Sequence, residues 1–356
     1  MKPALKRAVE FSNSIGLSAP ILLAPMAGSC PPSLSVAVAR AGGMGACGAL
    51  LMQPSQIVDW AAAFRSGGGE RFQMNVWTPD PAPKRDAAHE ARLRQFLADW
   101  GPEVSEAAGD ATPPDFSAQC EAMLSVRPAV ISSIMGLFSP AYAGRMRQAG
   151  IKWFATATTV GEAKIAEAAG ADAIIAQGAE AGGHRGAFDP SYAESSAVGL
   201  FSLLPSIVDA VDIPVIAAGG IGDARGIAAS LVFGASAAMI GTGYLRCPEA
   251  MIAPSWADRL ARTQPEETMI TRAFSGRPGR SLATAYARAA AAKEAPEPAP
   301  YPVQRGLTAA MRSKAAAEND VERMQAWAGQ SAHLAQARPA AELTAAWWRG
   351  ALEMLQ

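Results

Sequence analysis

The chain has 356 residues, half of them apolar, with 31 basic against 32 acidic side chains and a net charge of −1. That balance offers no basic surface for nucleic acid and no block of like charge for an interaction tail. Four dispersed cysteines without a CxxC pair, and three histidines (His89, His184, His333), argue against a structural zinc site and fit a reducing cytoplasm. No run of about 18 apolar residues occurs, so no membrane span is expected. The opening MKPALKRAVEFSNSIGL lacks the apolar stretch of a signal peptide.

The first credible strand is Ile21 to Met26 (ILLAPM), followed by a helix over Ser33 to Ala41 that Gly42-Gly43 closes. Met44 to Leu50 reads as a second strand, and Gln53 to Arg65 as a helix entered through Pro54. Phe72 to Trp77 is a third strand with Asn75 inside it; a polar side chain there is either satisfied in the core or offered to a ligand. From Thr78 to Pro128 the rhythm fails. This stretch is too long for an ordinary connection and is expected to extend over one end of the main domain, with helices at Ala87 to Trp100 and near Phe116 to Leu124. The alternation then resumes with strands near 130, 153, 173, 214 and 238. Helices begin at Ser139-Pro140, at a Thr159/Glu162 capping box, at Leu200 and at Asp223.

Eight short apolar strands, each followed by a helical pattern, within about 240 residues is the arithmetic of a (β/α)8 TIM barrel. A doubly wound sheet is the runner-up, but no GxGxxG follows the first strand. Residues 1–250 are therefore expected to form the barrel, with the 78–128 insertion. Residues 251–356 should form a mainly helical lid or side domain, with amphipathic helices over 306–334 and 340–355.

Chemistry is expected at the C-terminal ends of the strands. The stretch ADAIIAQGAEAGGHRG runs a buried strand into a glycine pair and then His184 and Arg185. AAGGIGDARG and MIGTGYL end the next two strands and have the composition of a phosphate cradle. There Gly219, Gly220, Gly241 and Gly243 permit close approach, Thr242 adds a hydroxyl, and a helix N-terminus is expected to assist. Cys30 is read as a packing residue rather than a nucleophile. Glu180 is open between an acid/base and a solvated loop carboxylate, and Arg185 between an anion ligand and a surface residue. His89 and His333 fall on helical patterns outside the barrel.

APMAG, Asn75 in FQMNV, QGAEAGGHRG, AAGGI, GTG and the tail motif MQAWAGQSAHLA occur in the order seen in the nitronate monooxygenases, formerly 2-nitropropane dioxygenases, and the chain resembles that family across the whole barrel. The resemblance implies an FMN-dependent TIM barrel. It implies FMN contacts from Pro25, Met26, Asn75, Gln177, Gly182, Gly219, Gly220, Gly241 and Thr242, and makes His184 the catalytic residue. It further implies a small nitronate or nitroalkane substrate, such as propionate 3-nitronate, and O2 as co-substrate. Imidazole suits the role because its ordinary pKa, roughly 6.5, lets it donate or accept near neutrality. No nucleic-acid, membrane or metal partner is expected, and a homodimer is one assembly left open. Flavin-type enoyl-acyl-carrier-protein reductases carry a close relative of the histidine motif. An NAD(P)H-dependent enoyl reductase and a non-catalytic flavin-binding module therefore stay open as alternatives.

Overall fold

A computed structural model describes residues 2–356. Its strands are β1 (Ile21–Leu23), β2 (Gly45–Gly48), β3 (Phe72–Trp77), β4 (Val130–Ile134), β5 (Lys152–Ala157), β6 (Ala173–Gln177), β7 (Gly183–His184), β8 (Val215–Ala218), β9 (Ala237–Ile240), β10 (Thr268–Thr271) and β11 (Gly279–Leu282). Eight of them form one parallel sheet in the order β1-β9-β8-β6-β5-β4-β3-β2. The sheet closes on itself where Leu22 bridges Met44: Met44 N–H donates to the Ile21 carbonyl (3.0 Å) and Leu23 N–H to the Met44 carbonyl (2.9 Å). The fold is thus the TIM barrel expected from the alternation, with every edge strand paired.

Two layers of apolar side chains hold it. Leu22, Met44, Val130, Phe154, Ile175 and Ile216 fill the lumen. Phe11, Ile15 and Leu17 join them from the N-terminal helix Pro3–Ser14 and the turn after it, plugging the end where the strands begin; Phe11 meets the Phe154 ring at 6.1 Å. A second, larger cluster lies between the strands and the outer helices. No helix among the described residues is long and apolar enough to cross a membrane.

Three sequence expectations need correction. Helix Phe116–Val126, inside the 78–128 stretch, packs on helix Pro54–Ser66 and on β3, so it belongs to the barrel's outer ring. Only the preceding segment stands outside, where Leu93 and Leu97 of helix Ala87–Leu97 pack with Phe274, Tyr286, Val303 and Leu307.

The last helix, Ala340–Leu355, likewise belongs to the ring. It packs between helices Ala224–Val232 and Pro32–Arg40, burying Leu343, Trp347 and Ala351. It fills the position of the helix that should follow β9, where the chain instead makes short turns and then helix Pro254–Leu260. The boundary at 250 therefore cuts the barrel, and the structure added to it comes from about 78–115 and 251–334.

Within that segment the expected 306–334 helix ends early. Helices Val303–Leu307 and Ala309–Ala317 are followed by Asn319 with φ +55°, a left-handed residue of the kind that stops helices. Beyond it the chain is drawn into tertiary hydrogen bonds that outweigh its helical pattern. Leu282 N–H donates to Ala326 O (2.9 Å), Gly329 N–H to Thr242 Oγ1 (2.9 Å) and Gln330 N–H to Glu180 O (3.0 Å). The antiparallel sheet β10-β11-β7, in which Gly279 pairs with His184, was not foreseen either.

Candidate active site

A cavity of about 560 Å3 opens at the C-terminal ends of the barrel strands. Pro25, Met26, Asn75, Gln177, Gly182, His184, Gly219, Gly220, Gly241 and Thr242, all ten residues singled out in the sequence, line it. They come from β1, β3, β6, β7, β8 and β9 or the loops that follow, so only the closing of the barrel brings them together.

One end of the cavity is made of backbone. Gly219 (φ +108°) and Gly220 (φ +70°) turn the chain in the left-handed region, where a side chain would be strained. Among the described residues the N–H groups of Gly220, Gly241, Thr242 and Gly243 find no acceptor within the protein. Orphan amides gathered at two neighbouring strand ends are donors open to an anion. The expected helix N-terminus does not contribute, because the Asp223 carboxylate already accepts from Arg225 and Gly226 N–H (3.0 and 3.2 Å). A strap, residues 325–331, lies across this end: Ser331 Oγ donates to Gly220 O (2.6 Å), and a Cβ on Gly182 would stand 2.5 Å from Gly329 N.

The floor carries two amides. Asn75 Nδ2 donates to the carbonyl and hydroxyl of Ser132 (3.1 and 3.0 Å), which leaves its Oδ1 as an acceptor. Gln177 Oε1 accepts from Gly186 N–H (2.8 Å) while Nε2 donates to His184 O (3.1 Å), leaving one N–H free.

The other end is made of side chains. The His184 ring meets the edges or faces of Trp77 and Trp327 at 4.5 and 4.6 Å, and its Nε2 lies 2.7 Å from Ser275 Oγ. Its Nδ1 has no hydrogen-bond partner among the described residues and is open to a ligand. Burial, then the charges of Arg277 and Arg305, push its pKa down to about 3. The imidazole is therefore neutral across the physiological range, and the ordinary value assumed from sequence does not apply. Ser275 sits in the loop between β10 and β11, and nothing near His184 in the sequence pointed to it.

Of the remaining candidates, Arg185 departs from both alternatives that the sequence left open. Arg185 is neither an anion ligand nor on the surface. It is 1 % exposed, and it donates to Gly178 O (2.6 Å) and Gln177 O (3.2 Å), pinning the turn after β6. Successive residues in extended backbone face opposite ways, so His184 toward the cavity puts Arg185 into the core. Glu180 is half-buried, and both its oxygens accept from Leu200 N–H (2.9 Å each) at the start of helix Leu200–Val208. Cys30 is buried, its thiol donating to Ala24 O (3.1 Å), and burial raises its pKa to about 12, far from a nucleophile. His89 caps no cavity; its Nε2 lies 2.7 Å from Glu297 O. His333 is exposed in a 3-10 turn. Of the Thr159/Glu162 box only half forms, since Glu162 reaches Thr158 N–H (2.6 Å) instead of Thr159.

Comparison with known proteins gives the family. The nitronate monooxygenase family pattern matches residues 10–347. A nitronate monooxygenase of Paraburkholderia phytofirmans is 39% identical over 343 residues, covering 93% of this chain and 92% of the relative. A probable nitronate monooxygenase of Staphylococcus aureus is 35% identical, covering 93% and 94%. Among solved structures, a nitroalkane oxidase of Streptomyces ansochromogenes superposes with a TM-score of 0.87 at 35% identity, covering 96% of this chain and 98% of that one. FabK of Thermotoga maritima gives 0.76 at 27% identity, covering 97% and 96%.

Proposed function

The chain belongs to the nitronate monooxygenase family, and from that premise we propose that it uses FMN and O2 to oxidise alkyl nitronates to the carbonyl compound and nitrite or nitrate. The observation that carries this reading is a single cavity with orphan backbone amides at one end and a neutral histidine at the other. The family is flavin-dependent. The fit to FMN rests on the donor set: loop amides of Gly220, Gly241 and Thr242 for one phosphate, and Asn75 Oδ1 with the free N–H of Gln177 for a heterocycle of alternating donors and acceptors. Pro25, Met26, Gly182 and Gly219 would complete the wall. When bound, the flavin supplies the electron-transfer chemistry and the reaction with O2.

The protein's own contribution lies at His184. A neutral imidazole carries one proton, and Ser275 Oγ decides which nitrogen bears it. When Ser275 donates to Nε2, Nδ1 carries the proton and donates to a nitronate oxygen. When Ser275 turns its proton to Arg277 O (3.3 Å), Nε2–H donates to Ser275, and the Nδ1 lone pair is free to take the α-proton of a neutral nitroalkane. Trp77 and Trp327 hold the ring on both sides. Residues 251–334 roof the cavity through Ile252, Trp256, Met324 and Trp327, which keeps water from the reacting groups.

O2 uptake with ethyl and propyl nitronates should be dependent on bound FMN and independent of nicotinamide. The likeness to FabK keeps a nicotinamide-dependent reductase as the second reading. Oxidation of NADH or NADPH with an enoyl thioester, and no O2 uptake with any nitronate, would reverse the order.

A further inference from the structure

One buried ion pair beside His184 has no part in that chemistry. The Arg277 side chain, in the turn between β10 and β11, is 3 % exposed, and its Nη1 lies 3.3 Å from Asp80 Oδ2 in the loop after β3. Asp80 is itself only 22 % exposed. Arg277 Nη2 donates to Ala187 O (3.1 Å), whereas Nε and Nη1 make no hydrogen bond among the described residues. The other arginines buried near the site are occupied differently: Arg185 by Gly178 O and Gln177 O, Arg280 by Ala179 O and Thr268 Oγ1.

A buried ion pair with most of its donors short of hydrogen-bond geometry is a poor source of stability, because desolvation offsets the attraction. Burial accordingly raises the pKa of Asp80 and lowers that of Arg277, and each partner draws the other back toward its ordinary value.

The two segments that the pair joins both touch the His184 ring. Trp77, three residues before Asp80, packs on it at 4.5 Å. Ser275, two residues before Arg277, meets its Nε2 at 2.7 Å. The turn is also zipped to β7: Gly279 pairs with His184, Arg185 N–H donates to Pro278 O (2.9 Å), and Arg277 reaches Ala187 O. Ser275 Oγ lies 3.3 Å from Arg277 O and 3.4 Å from Arg277 N. Asp80 and Arg277 thus rivet the wall that carries Trp77 to the turn that carries Ser275.

The charged groups that act on the imidazole are Arg277 and Arg305, and no Asp or Glu lines the cavity among the described residues. Around Arg277 stand Asp80, Asp189, Arg272 and Tyr301, of which Arg272 is held by Pro190 O and Glu194.

We propose that Arg277, held by Asp80, is a positioning residue for His184: its backbone fixes the Ser275 hydroxyl against the ring, and its guanidinium keeps a positive charge beside the imidazole. Its effect on turnover rests on the proposed function; its effect on the histidine does not. A cation beside the ring disfavours imidazolium, so the Nδ1 lone pair stays available as pH falls.

The chain has three histidines, so histidine-selective nitrogen NMR of the flavin-loaded protein identifies His184 as the signal lost in His184→Asn. At about pH 4.5 the wild-type ring should be almost wholly neutral, and Arg277→Met should hold about tenfold more imidazolium. Arg277→Lys, which keeps the charge, should return the ring to the neutral form, and Asp80→Asn, which also keeps it, should leave the ring neutral. With 2-nitropropane near pH 8, kcat of Arg277→Met should fall by about tenfold at unchanged KM, because Ser275 is no longer held. Its kcat/KM should also gain an acid limb that the wild type lacks. If Arg277→Met fails to fold with Asp80 left alone, the double variant Asp80→Asn/Arg277→Met removes both charges and gives the same measurement. Equal imidazolium in the wild type and Arg277→Met, or in Arg277→Met and Arg277→Lys, would overturn the proposal. A wild type that oxidises no nitronate or nitroalkane would end the oxidation reading, while the spectra still decide this one.

Discussion

The two ends of the cavity are built on different principles. The proposed phosphate cradle is made of the backbone N–H groups of Gly220, Gly241, Thr242 and Gly243 at the ends of β8 and β9, two neighbouring barrel strands. The other end is made of side chains from segments far apart in sequence: Trp77 from β3, His184 from β7, Ser275 from a hairpin turn, Arg305 from a late helix and Trp327 from the strap. Backbone donors are fixed by the barrel itself, and at Gly219 and Gly220 an added side chain would have to adopt a positive φ. The side-chain end can be altered one group at a time, so it is where substrate choice can vary while cofactor binding is kept.

Substitutions that break one end and spare the other sharpen this contrast. The largest effect is expected from Gly220→Asp or Gly241→Asp. Each brings a carboxylate to the amide cradle, and at Gly220 a side chain must also adopt φ +70°, a cost of about 1–2 kcal/mol. The purified variants should be colourless and take up no flavin on reconstitution, with an unchanged far-ultraviolet dichroism spectrum. Yellow protein from either would mean that the phosphate lies elsewhere.

His184→Asn should leave flavin bound and lower turnover of neutral nitroalkanes by about 10²–10⁴, with a smaller loss on preformed nitronates that have no proton to give up. The pH profile carries a second check. Because the free-enzyme pKa is depressed to about 3, the base form persists as pH falls, and kcat/KM of the wild type for 2-nitropropane should show no break near 6.5. The same depression has a stability consequence. The unfolded chain takes up this proton near 6.5 and the folded one only near 3, so stability is full above 6.5 and declines as pH falls between those values. An inflection near 6.5 that vanishes in His184→Asn would show instead an ordinary, solvated imidazole.

The smallest effect is expected at Cys30, which lies beside the cavity but acts through packing. Cys30→Ala should keep activity within about twofold while costing roughly 1–2 kcal/mol of stability in a denaturant titration, for two lost thiol hydrogen bonds and a small void. Loss of turnover without loss of stability would return the thiol to the chemistry.

Sequence by itself determined the barrel and the glycine-rich strand ends that line its cavity. Parallel strands buried on both faces appear as short apolar runs, and glycine at a strand end is required by backbone geometry, so both leave local traces in AIIAQ, AAGGIG and MIGTG. It also placed His184 at a strand mouth. Tertiary structure alone decided what surrounds that histidine. Ser275, Arg305 and Trp327 reach it from 91 to 143 positions later, through a hairpin pairing with β7 and a strap whose hydrogen bonds override a helical pattern. It also moved helix Ala340–Leu355 back into the barrel ring, turned Arg185 into the core and set the histidine's pKa. These depend on burial and on charges brought close by folding, which no spacing in the chain encodes.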